Sequence, residues 1–458
     1  MSAALAASDL DLLALHERFP ARYPVLLESV SGAVELGRHD VLFALPGERL
    51  TLRGDGELTG DAPAGSARGR FLDALDAWFH ASAASNVPAG EGEGPAPFIG
   101  GWFLYLGYEL AAEVEPTLQL PRSELPRAVA WRMRGALLRD RVTNELRALA
   151  ETPALEQSLR SQVARDLEDL RRAPPRRLPT ALAHDVREQE PRVFLSGVGE
   201  ILEAIAAGDV YQANLSRSWH ARMADGATAT DLYRALRRAN PAPFAALAEL
   251  DDFSVLSSSP ERLLQVRGGI ASTRPIAGTR PRGIDDAADV ALKRELTLNE
   301  KERAEHVMLV DLERNDLGRI CTGGTVEVDE YMTVETYATV HHIVSNVRGR
   351  LREGVTPGQA IAAVFPGGTI TGCPKVRCMQ ILAGLEREPR DAYTGSLGYL
   401  GLDGTMDLNI LIRTLTLRSG EIAFRTGAGI VADSSPEAEL AETRAKAHGI
   451  LRALGELA

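Results

Sequence analysis

The feature that most constrains the fold of this chain is the alternation of helical and strand-like stretches after residue 188. Helical spacing of apolar residues predicts helices over 192–207, 229–238, 293–313, 357–365, 375–385 and 436–454. Runs rich in β-formers predict strands over 245–250, 254–257, 395–402, 408–416 and 422–426. Because helices and strands bury their apolar faces against one another, this part of the chain predicts a large α+β domain.

A proline-rich connector separates this domain from the first third of the chain. Residues 173–179 (APPRRLP) cannot continue the charged helical run before them, because proline lacks the backbone N–H that a helix requires. Earlier strand-like runs between Gly and Pro turns predict a smaller α+β region. The predicted organisation is an N-terminal region over 1–150, a linker over 151–188 and a C-terminal domain over 189–458.

Charge and composition exclude several classes of function. The net charge is -12 and no basic stripe stands out, so we expect the chain to bind neither nucleic acid nor an anionic membrane. No apolar run is long enough to span a bilayer and the first residues do not resemble a signal peptide, so we expect a cytoplasmic protein. The cysteines, Cys321, Cys373 and Cys378, form no CxxC pair, so we expect reduced thiols and no zinc site.

Two pairs of glutamates with helical spacing suggest a divalent metal site. Glu302 and Glu305 lie three residues apart, as do Glu439 and Glu442, so each pair would place two carboxylates on one helix face. Converging carboxylates suit Mg²⁺, which keeps several waters and completes its shell with oxygens of an anionic ligand. Such pairs also occur on helix faces exposed to solvent, so the surrounding residues are needed to distinguish a metal site from an ordinary helix surface. The second pair follows residues 427–434, a predicted glycine-rich turn whose backbone N–H groups could bind a carboxylate.

Other segments combine polar side chains with glycine or proline. They lie at 211–216 (YQANLS), 258–262 (SSPER), 274–280 (RPIAGTR), 366–375 (PGGTITGCPK) and 412–414 (IRT). Together with the two glutamate blocks and residues 427–432, this ordered set closely resembles the chorismate-utilising enzymes. That family includes the large subunits of anthranilate synthase and aminodeoxychorismate synthase, the isochorismate synthases and the salicylate synthases. The resemblance is strong over residues 190–455 and weaker before them, through 26–29 (LLES) and 100–103 (GGWF).

The resemblance implies a fold, a substrate and a cofactor. The fold would be α+β, with a large β-sheet sandwich flanked by helices and an N-terminal region like that of anthranilate synthase component I. The substrate would be chorismate, a small dianion with a ring hydroxyl that must leave. Mg²⁺ would hold the ring carboxylate, bound directly by Glu305 and Glu442 and through water by Glu302 and Glu439.

The resemblance also assigns contacts to the rest of the substrate. Arg413, on a predicted strand, can pair a carboxylate through two parallel hydrogen bonds, and Gly427 and Gly429 offer backbone donors to the same group. The implied substrate-binding residues are Gly278, Thr279, Thr369, Tyr393, Arg413, Gly427, Gly429 and Lys446, of which Tyr393, Arg413, Gly429 and Lys446 would hold the enolpyruvyl carboxylate.

Three polar residues match the catalytic positions of the family. Hydroxide is a poor leaving group, and Glu261 matches the general acid that protonates it, the alternative being an ion pair with Arg262 or another neighbour. His342 matches the histidine beside the ring, the alternative being a structural histidine. The members that add water carry a lysine base where this chain has Gln212. Because glutamine cannot take a proton from water, Gln212 favours an enzyme that adds ammonia.

The source of ammonia is predicted to be a second protein. A class I glutamine amidotransferase needs a cysteine on a glycine-flanked nucleophile elbow, and none of the three cysteines lies in such a pattern. The sequence therefore predicts a separate glutamine amidotransferase subunit as the partner.

The ring carbon that receives ammonia distinguishes two branches. Aminodeoxychorismate synthases often carry an attacking lysine where this chain has Ala277, which favours anthranilate synthase. Residues 367–372 (GGTITG) and 406–410 (MDLNI) instead resemble the aminodeoxychorismate branch. We weigh two longer motifs above one substitution and expect component I of aminodeoxychorismate synthase, acting toward 4-aminobenzoate and folate, with anthranilate synthase component I as the alternative. The intact Glu261, His342 and Arg413 disfavour a third reading, a non-catalytic chorismate-binding regulator.

Overall fold

The computed structural model describes residues 10–30, 37–61, 69–83, 96–174, 176, 179–337 and 340–456. Within them, short 3-10 helices lie at Tyr108–Leu110 and Gly368–Ile370. The α-helices are α1 (Leu12–Arg18), α2 (Phe71–Ala83), α3 (Ala111–Val114), α4 (Pro153–Arg172), α5 (Pro191–Ala206), α6 (Ala229–Ala239), α7 (Asp286–Leu298), α8 (Glu300–Gly318), α9 (Pro357–Val364), α10 (Lys375–Glu386) and α11 (Pro436–Leu454).

The strands of the described residues all pair antiparallel. They are β1 (Val25–Glu28), β2 (His39–Leu52), β3 (Leu58–Gly60), β4 (Gly101–Leu106), β5 (Ala128–Asp140), β6 (Leu146–Ala150), β7 (Ala183–Glu188), β8 (Gln212–Met223), β9 (Phe244–Glu249), β10 (Ser254–Ser259), β11 (Arg262–Arg267), β12 (Ile270–Arg274), β13 (Ile276–Pro281), β14 (Glu327–Thr336), β15 (Val340–Arg350), β16 (Gly372–Cys373), β17 (Ser396–Gly401), β18 (Met406–Asn409), β19 (Thr414–Arg418) and β20 (Glu421–Ile430).

The strand pairings form one continuous sheet. Neighbours run in the order β7, β8, β20, β19, β10, β9, β1, β2, β5, β4, β17, β18, β11, β12 and β15. Strands β3, β6 and β16 extend it beside β2, β5 and β8, while β13 and β14 pair with β15. The predicted α+β fold, a large sheet flanked by helices, is confirmed.

The predicted linker contributes to this sheet and to its packing. It contains α4 and β7, and β7 pairs with β8. Arg176 of the proline-rich connector lies 2.7 Å from Asp231 and 2.6 Å from Glu17, whereas residues 175, 177 and 178 of the connector lie outside the described residues. Strands from both sides of the linker pair with each other, as β4 does with β17. The division into an N-terminal region and a C-terminal domain stays a prediction.

Two predicted elements are interrupted in the structure. The helix predicted over 293–313 is two helices, because Asn299 ends α7 and its side chain caps α8 by accepting the N–H of Glu302 at 3.0 Å. The strand predicted over 408–416 breaks between β18 and β19. Arg413 lies in this break with a φ of 51°, so the prediction that it lies on a strand is wrong.

The predicted glycine-rich turn is also wrong at its start. Gly427 and Gly429 instead lie within β20, which pairs with β8. Because neither residue has a side chain, the side chains of Tyr393 and Gln212 can approach the strand closely. The opposite face of these strands packs on α5 and α10 through an apolar cluster that includes Val198, Leu215 and Leu382. None of the helices in the described ranges has the length and apolar character needed to cross a membrane.

Candidate active site

One corner of the candidate site is formed by the part of β20 in which Gly427 and Gly429 contribute no side chains. Gly427 lies opposite Ser216 of β8, and Gly429 lies opposite Asn214. A Cβ atom on Gly427 would lie 2.5 Å from the Tyr393 hydroxyl, and one on Gly429 would lie 2.4 Å from the Gln212 amide nitrogen. Glycine is therefore required at both positions for Tyr393 and Gln212 to lie against the strand.

Polar groups capable of binding a carboxylate surround this stretch. Strand β19 pairs with β20 only from Glu421 to Phe424, so Gly427 and Gly429 have a strand partner on one edge alone among the described strands. Lys446 of α11 donates to the Gly427 carbonyl at 3.0 Å, and the Tyr393 hydroxyl lies 3.4 Å from the Asn214 amide nitrogen. The corner thus combines a cation, a hydroxyl and an amide beside a partly unpaired strand.

Gln212 brings an unsatisfied polar atom into this corner. The residue is 8% exposed, and its main-chain carbonyl accepts a hydrogen bond from the Cys378 thiol at 3.0 Å. Within the described part of the chain, its buried side-chain oxygen Oε1 has no hydrogen-bond partner. A buried amide oxygen without a partner costs free energy, which suits a position that meets a ligand.

Glu261 is a buried carboxyl group whose raised pKa leaves a substantial fraction protonated near neutral pH. Burial raises its pKa to about 7, and the nearby Thr369 hydroxyl only partly opposes this. Its atom Oε1 is buried and has no hydrogen-bond partner among the described residues. Arg262 instead makes two hydrogen bonds to Asp407, at 2.9 and 3.0 Å, so the alternative of an ion pair with Glu261 does not apply.

A bulge in β13, between Ala277 and Thr279, lies against His342 of β15. Ala277 pairs with Ile343 and Thr279 pairs with His342, with Gly278 at a φ of 64° between them. The Thr279 hydroxyl lies 2.9 Å from His342 Nδ1. Burial, with a smaller effect from Arg413, lowers the His342 pKa to about 3, so the imidazole is neutral.

Arg413 adopts a backbone conformation that is unfavourable for a residue with a side chain. At a φ of 51° it lies in the left-handed region, and its carbonyl accepts the Ser258 N–H at 3.1 Å. Such strain persists where surrounding contacts impose it, and it clusters at functional sites. Burial lowers the pKa of Arg413, and the charge of Glu261 opposes this shift. The Arg413 guanidinium and the Glu261 carboxyl group are therefore close enough to affect each other's ionisation.

The turn that carries Thr369 packs against α8. A Cβ atom on Gly368 would lie 2.2 Å from Leu312, so this turn requires glycine for its close approach to the helix. The same helix carries Glu302, whose carboxylate would lie 2.9 Å from a Cβ atom on Gly278. Helix α8 therefore connects the Thr369 turn with the β13 bulge.

The predicted metal ligands lie on two helices and have protein partners. Glu302 binds Arg280 at 3.1 Å, and Glu305 follows one turn later on α8. On α11, Glu439 accepts the Ser434 hydroxyl at 2.6 Å, and Glu442 lies 2.7 Å from Lys446. Across the described ranges, no three acidic, histidine or cysteine side chains form a metal-binding group. The carboxylate donors fit Mg²⁺ chemically, and binding would exchange these protein partners for the ion.

Sequence analysis missed two residues that line or support the site. Asn214 shares a strand face with Gln212, so the alternation along β8 was a signal that could have found it. Arg390 is 3% exposed and bonds to several site segments, but nothing in its sequence surroundings distinguishes it from a surface arginine.

The chain is similar in sequence to known proteins of one family. A family profile for chorismate binding enzymes matches residues 51–452. The chain is 43% identical over 361 residues to an anthranilate synthase component I-like protein from Synechocystis sp., covering 78% of this chain and 73% of that protein. It is 48% identical over 261 residues to aminodeoxychorismate synthase component 1 of Bacillus subtilis, covering 57% of this chain and 55% of that protein.

A solved structure gives the same result for the fold. The crystal structure of anthranilate synthase component I from Streptococcus pneumoniae TIGR4 matches with a TM-score of 0.78 at 31% identity, covering 90% of this chain and 92% of that one. The chain belongs to the family of chorismate binding enzymes. It is a chorismate-utilising enzyme, as its motifs predict, and the relatives carry the names of both amination branches.

Proposed function

We propose that this protein is component I of an aminodeoxychorismate synthase, which replaces the C4 hydroxyl of chorismate with ammonia to form 4-amino-4-deoxychorismate. The observation that carries ammonia as the nucleophile is Gln212, a buried carboxamide with an unsatisfied oxygen, at the position where the resemblance implies a lysine in the water-adding members. The choice of C4 rests on the motifs at residues 367–372 and 406–410. A carboxamide cannot activate water, but its oxygen can accept a hydrogen bond from ammonia, which already has a nucleophilic lone pair.

Glu261 would act as the general acid. Its pKa of about 7 leaves a substantial protonated fraction at neutral pH, and its unpartnered oxygen is free to contact the departing hydroxyl. The proton moves from the Glu261 carboxyl to that oxygen, so water leaves instead of hydroxide. The ammonium group formed by attack then loses a proton, which restores the acid.

The two carboxylates of chorismate would be bound by two separate sets of residues. Tyr393, Arg413, Gly429 and Lys446 would hold the enolpyruvyl carboxylate, with Thr369 and His342 beside the ring. The carboxylates proposed to hold Mg²⁺ are Glu305 and Glu442 directly, and Glu302 and Glu439 through water. A bound Mg²⁺ would supply the positive charge that fixes the ring carboxylate.

Ala277 and two motifs bear on which ring carbon ammonia attacks. This buried alanine of β13 has no amine, so ammonia itself must attack, without a lysine adduct at this position. Two motifs, residues 367–372 and 406–410, support attack at C4. Ala277 favours a second candidate, anthranilate synthase component I, in which ammonia adds at C2 and pyruvate is eliminated.

Ammonia would come from a separate glutamine amidotransferase subunit, and the product would lead to 4-aminobenzoate and folate. Cys378 is fully buried and Cys321 is buried, and burial raises the pKa of both thiols, the opposite of what an activated nucleophile requires. Burial also raises the pKa of Cys373. These environments support a partner that carries the glutaminase cysteine.

Product identification tests the proposal. The purified chain is incubated with chorismate, Mg²⁺ and ammonium, with and without an aminodeoxychorismate lyase. We expect a product that the lyase converts to 4-aminobenzoate. Fluorescent anthranilate formed without the lyase would assign the chain to the second candidate, and no consumption of chorismate would indicate a binding protein without catalysis.

A further inference from the structure

Arg390 joins three segments of the site through one buried guanidinium. It donates to both oxygens of Glu386, at 2.8 and 2.7 Å, which fixes its orientation. It also donates to the Asn214 carbonyl of β8 at 2.7 Å and to the Ile370 carbonyl, next to Thr369, at 3.2 Å. A group that satisfies so many acceptors at once holds those segments at fixed separations.

The backbone around Arg390 is held in turn by Glu109 from the N-terminal region. Glu109 is 3% exposed, and its carboxylate accepts the Arg390 N–H at 2.7 Å and the Asp391 N–H at 3.1 Å. The Tyr108 N–H donates to the Asp391 carbonyl at 2.8 Å. The Tyr108 ring centroid lies 4.8 Å from the Arg390 guanidinium. The segment is therefore fixed through backbone and side chain.

This segment needs such support because part of it is strained. Asp391 has a φ of 54° and Thr394 a φ of 62°, both in the left-handed region that disfavours residues with side chains. Strain of this kind persists only when neighbouring contacts impose it. Tyr393 lies between these residues, and its hydroxyl occupies the space left by Gly427.

We propose that Glu109 is a positioning residue for chorismate binding: by holding the backbone of residues 390–394, it places the Tyr393 hydroxyl at the carboxylate-binding corner. The N-terminal region thereby supports the active site without touching the substrate. The proposal rests on the proposed role of Tyr393 as a carboxylate contact. It does not depend on which ring carbon is aminated.

A double-mutant cycle with Glu109→Gln and Tyr393→Phe tests this role. Chorismate affinity is measured as Kd by tryptophan fluorescence and as KM from chorismate consumption, neither of which depends on the product formed. Burial and Asp391 raise the Glu109 pKa to about 8, so Kd is measured above this pH, where the wild-type carboxylate is ionised, and KM is measured near pH 7, where a substantial fraction of Glu261 keeps its proton. Glutamine keeps the size of the side chain but presents an amide to one of the two N–H groups.

We expect Glu109→Gln to raise Kd and KM for chorismate by about tenfold, with kcat changed by less than about threefold, because the lost contact acts on binding. The double variant should bind no more weakly than Tyr393→Phe alone, since Glu109 acts through Tyr393. Glu113→Gln is the matched control, because Glu113 accepts the N–H groups of Phe71 and Leu72, at 2.8 and 2.9 Å, in α2. It should leave chorismate affinity unchanged.

Two results would overturn the proposal. One is a Glu109→Gln protein with lowered thermal stability but wild-type chorismate affinity, which would assign Glu109 a structural role alone. The other is an additive double variant, which would separate Glu109 from Tyr393. If Glu109→Gln does not fold, the same cycle is measured with Glu109→Asp, because aspartate keeps the negative charge on a shorter side chain. It should weaken binding in the same non-additive way. Failure of Tyr393→Phe itself to weaken binding would instead refute the proposed role of Tyr393.

Discussion

The chemistry proposed for this site depends on a single buried carboxyl group, Glu261, whose raised pKa leaves a substantial fraction protonated near neutral pH. Burial is the main cause, because a buried carboxylate loses the hydration that water provides. Lys446 and Arg413 oppose the shift only weakly. The neutral His342 and the protonated fraction of Glu261 would therefore present an uncharged donor side to the proposed substrate ring, while Lys446 and Arg413 would lie at the proposed carboxylate-binding corner.

Replacing Glu261 with glutamine should abolish proton donation but keep the shape of the side chain. We expect kcat to fall by at least about a hundredfold, with chorismate affinity retained. In the wild type, the acid form is needed, so kcat/KM for chorismate at saturating ammonia should fall as the pH rises through about 7. Steady-state kinetics across pH check both points. A variant with near wild-type turnover would remove Glu261 from the mechanism.

Gly429 of β20 allows a test of where the nucleophile binds. A Cβ atom at Gly429 would lie 2.4 Å from the Gln212 amide nitrogen, so Gly429→Ala should displace that carboxamide. We expect the KM for ammonia to rise by about tenfold, and the KM for chorismate to change less. Gly384→Ala is the control, because a Cβ atom there meets no atom within 4 Å. An unchanged KM for ammonia in Gly429→Ala would contradict the placement of the nucleophile beside Gln212.

The family resemblance names most residues of the candidate site, but not their supports. Glu261 and Gln212 lie in two of the polar segments that carry the resemblance, and Tyr393 is assigned by the resemblance alone. Arg390 and Glu109 escape such analysis, since they lie 281 residues apart and act through backbone groups. Only the fold brings them together.

Among the elements, α8 has the closest connection to function. It carries two of the proposed metal ligands, packs against the Thr369 turn and approaches the β13 bulge. The sequence predicted one helix over 293–313 and missed the break at Asn299, which ends α7 and caps α8. The cap bond from the Glu302 N–H to Asn299 shows why the chain breaks there.

Removing this cap should affect stability and metal binding together. We expect Asn299→Ala to lower the free energy of unfolding by about 1 kcal/mol and to weaken Mg²⁺ binding, because Glu302 lies in the first turn of α8. Thr152→Ala, which removes the cap of the remote helix α4, is the matched control. It should cost similar stability without changing the Mg²⁺ dependence of turnover. Equal Mg²⁺ dependence in both variants would argue against Glu302 as part of a metal site.

At the scale of the whole molecule, the sheet joins the two halves of the chain. The sequence predicted the α+β class and most helices, since their signals are local. It did not predict that β1 pairs with β9 or that β4 pairs with β17, because such pairings depend on contacts distant in sequence. The N-terminal region therefore shares one sheet with the strands that carry the candidate site.

The proposal that a separate subunit releases ammonia from glutamine predicts which nitrogen donors the isolated chain can use. The isolated chain should aminate chorismate with ammonium, at rates that follow the concentration of free ammonia, but not with glutamine. Addition of the cognate amidotransferase should allow use of glutamine. Chorismate consumption with each nitrogen donor measures this, and glutamine-dependent turnover by the rigorously purified chain alone would refute the two-subunit proposal.

The central claim is that the Gln212 side of the site delivers ammonia and not water. The most direct measurement is mass spectrometry of the products formed from chorismate, Mg²⁺ and isotopically labelled ammonium, by the wild type and by Gln212→Lys. We predict that the wild type forms only a labelled amino product, and that Gln212→Lys diverts part of the chorismate to isochorismate by activating water. Isochorismate as the main product of the wild type at saturating ammonium would contradict the account.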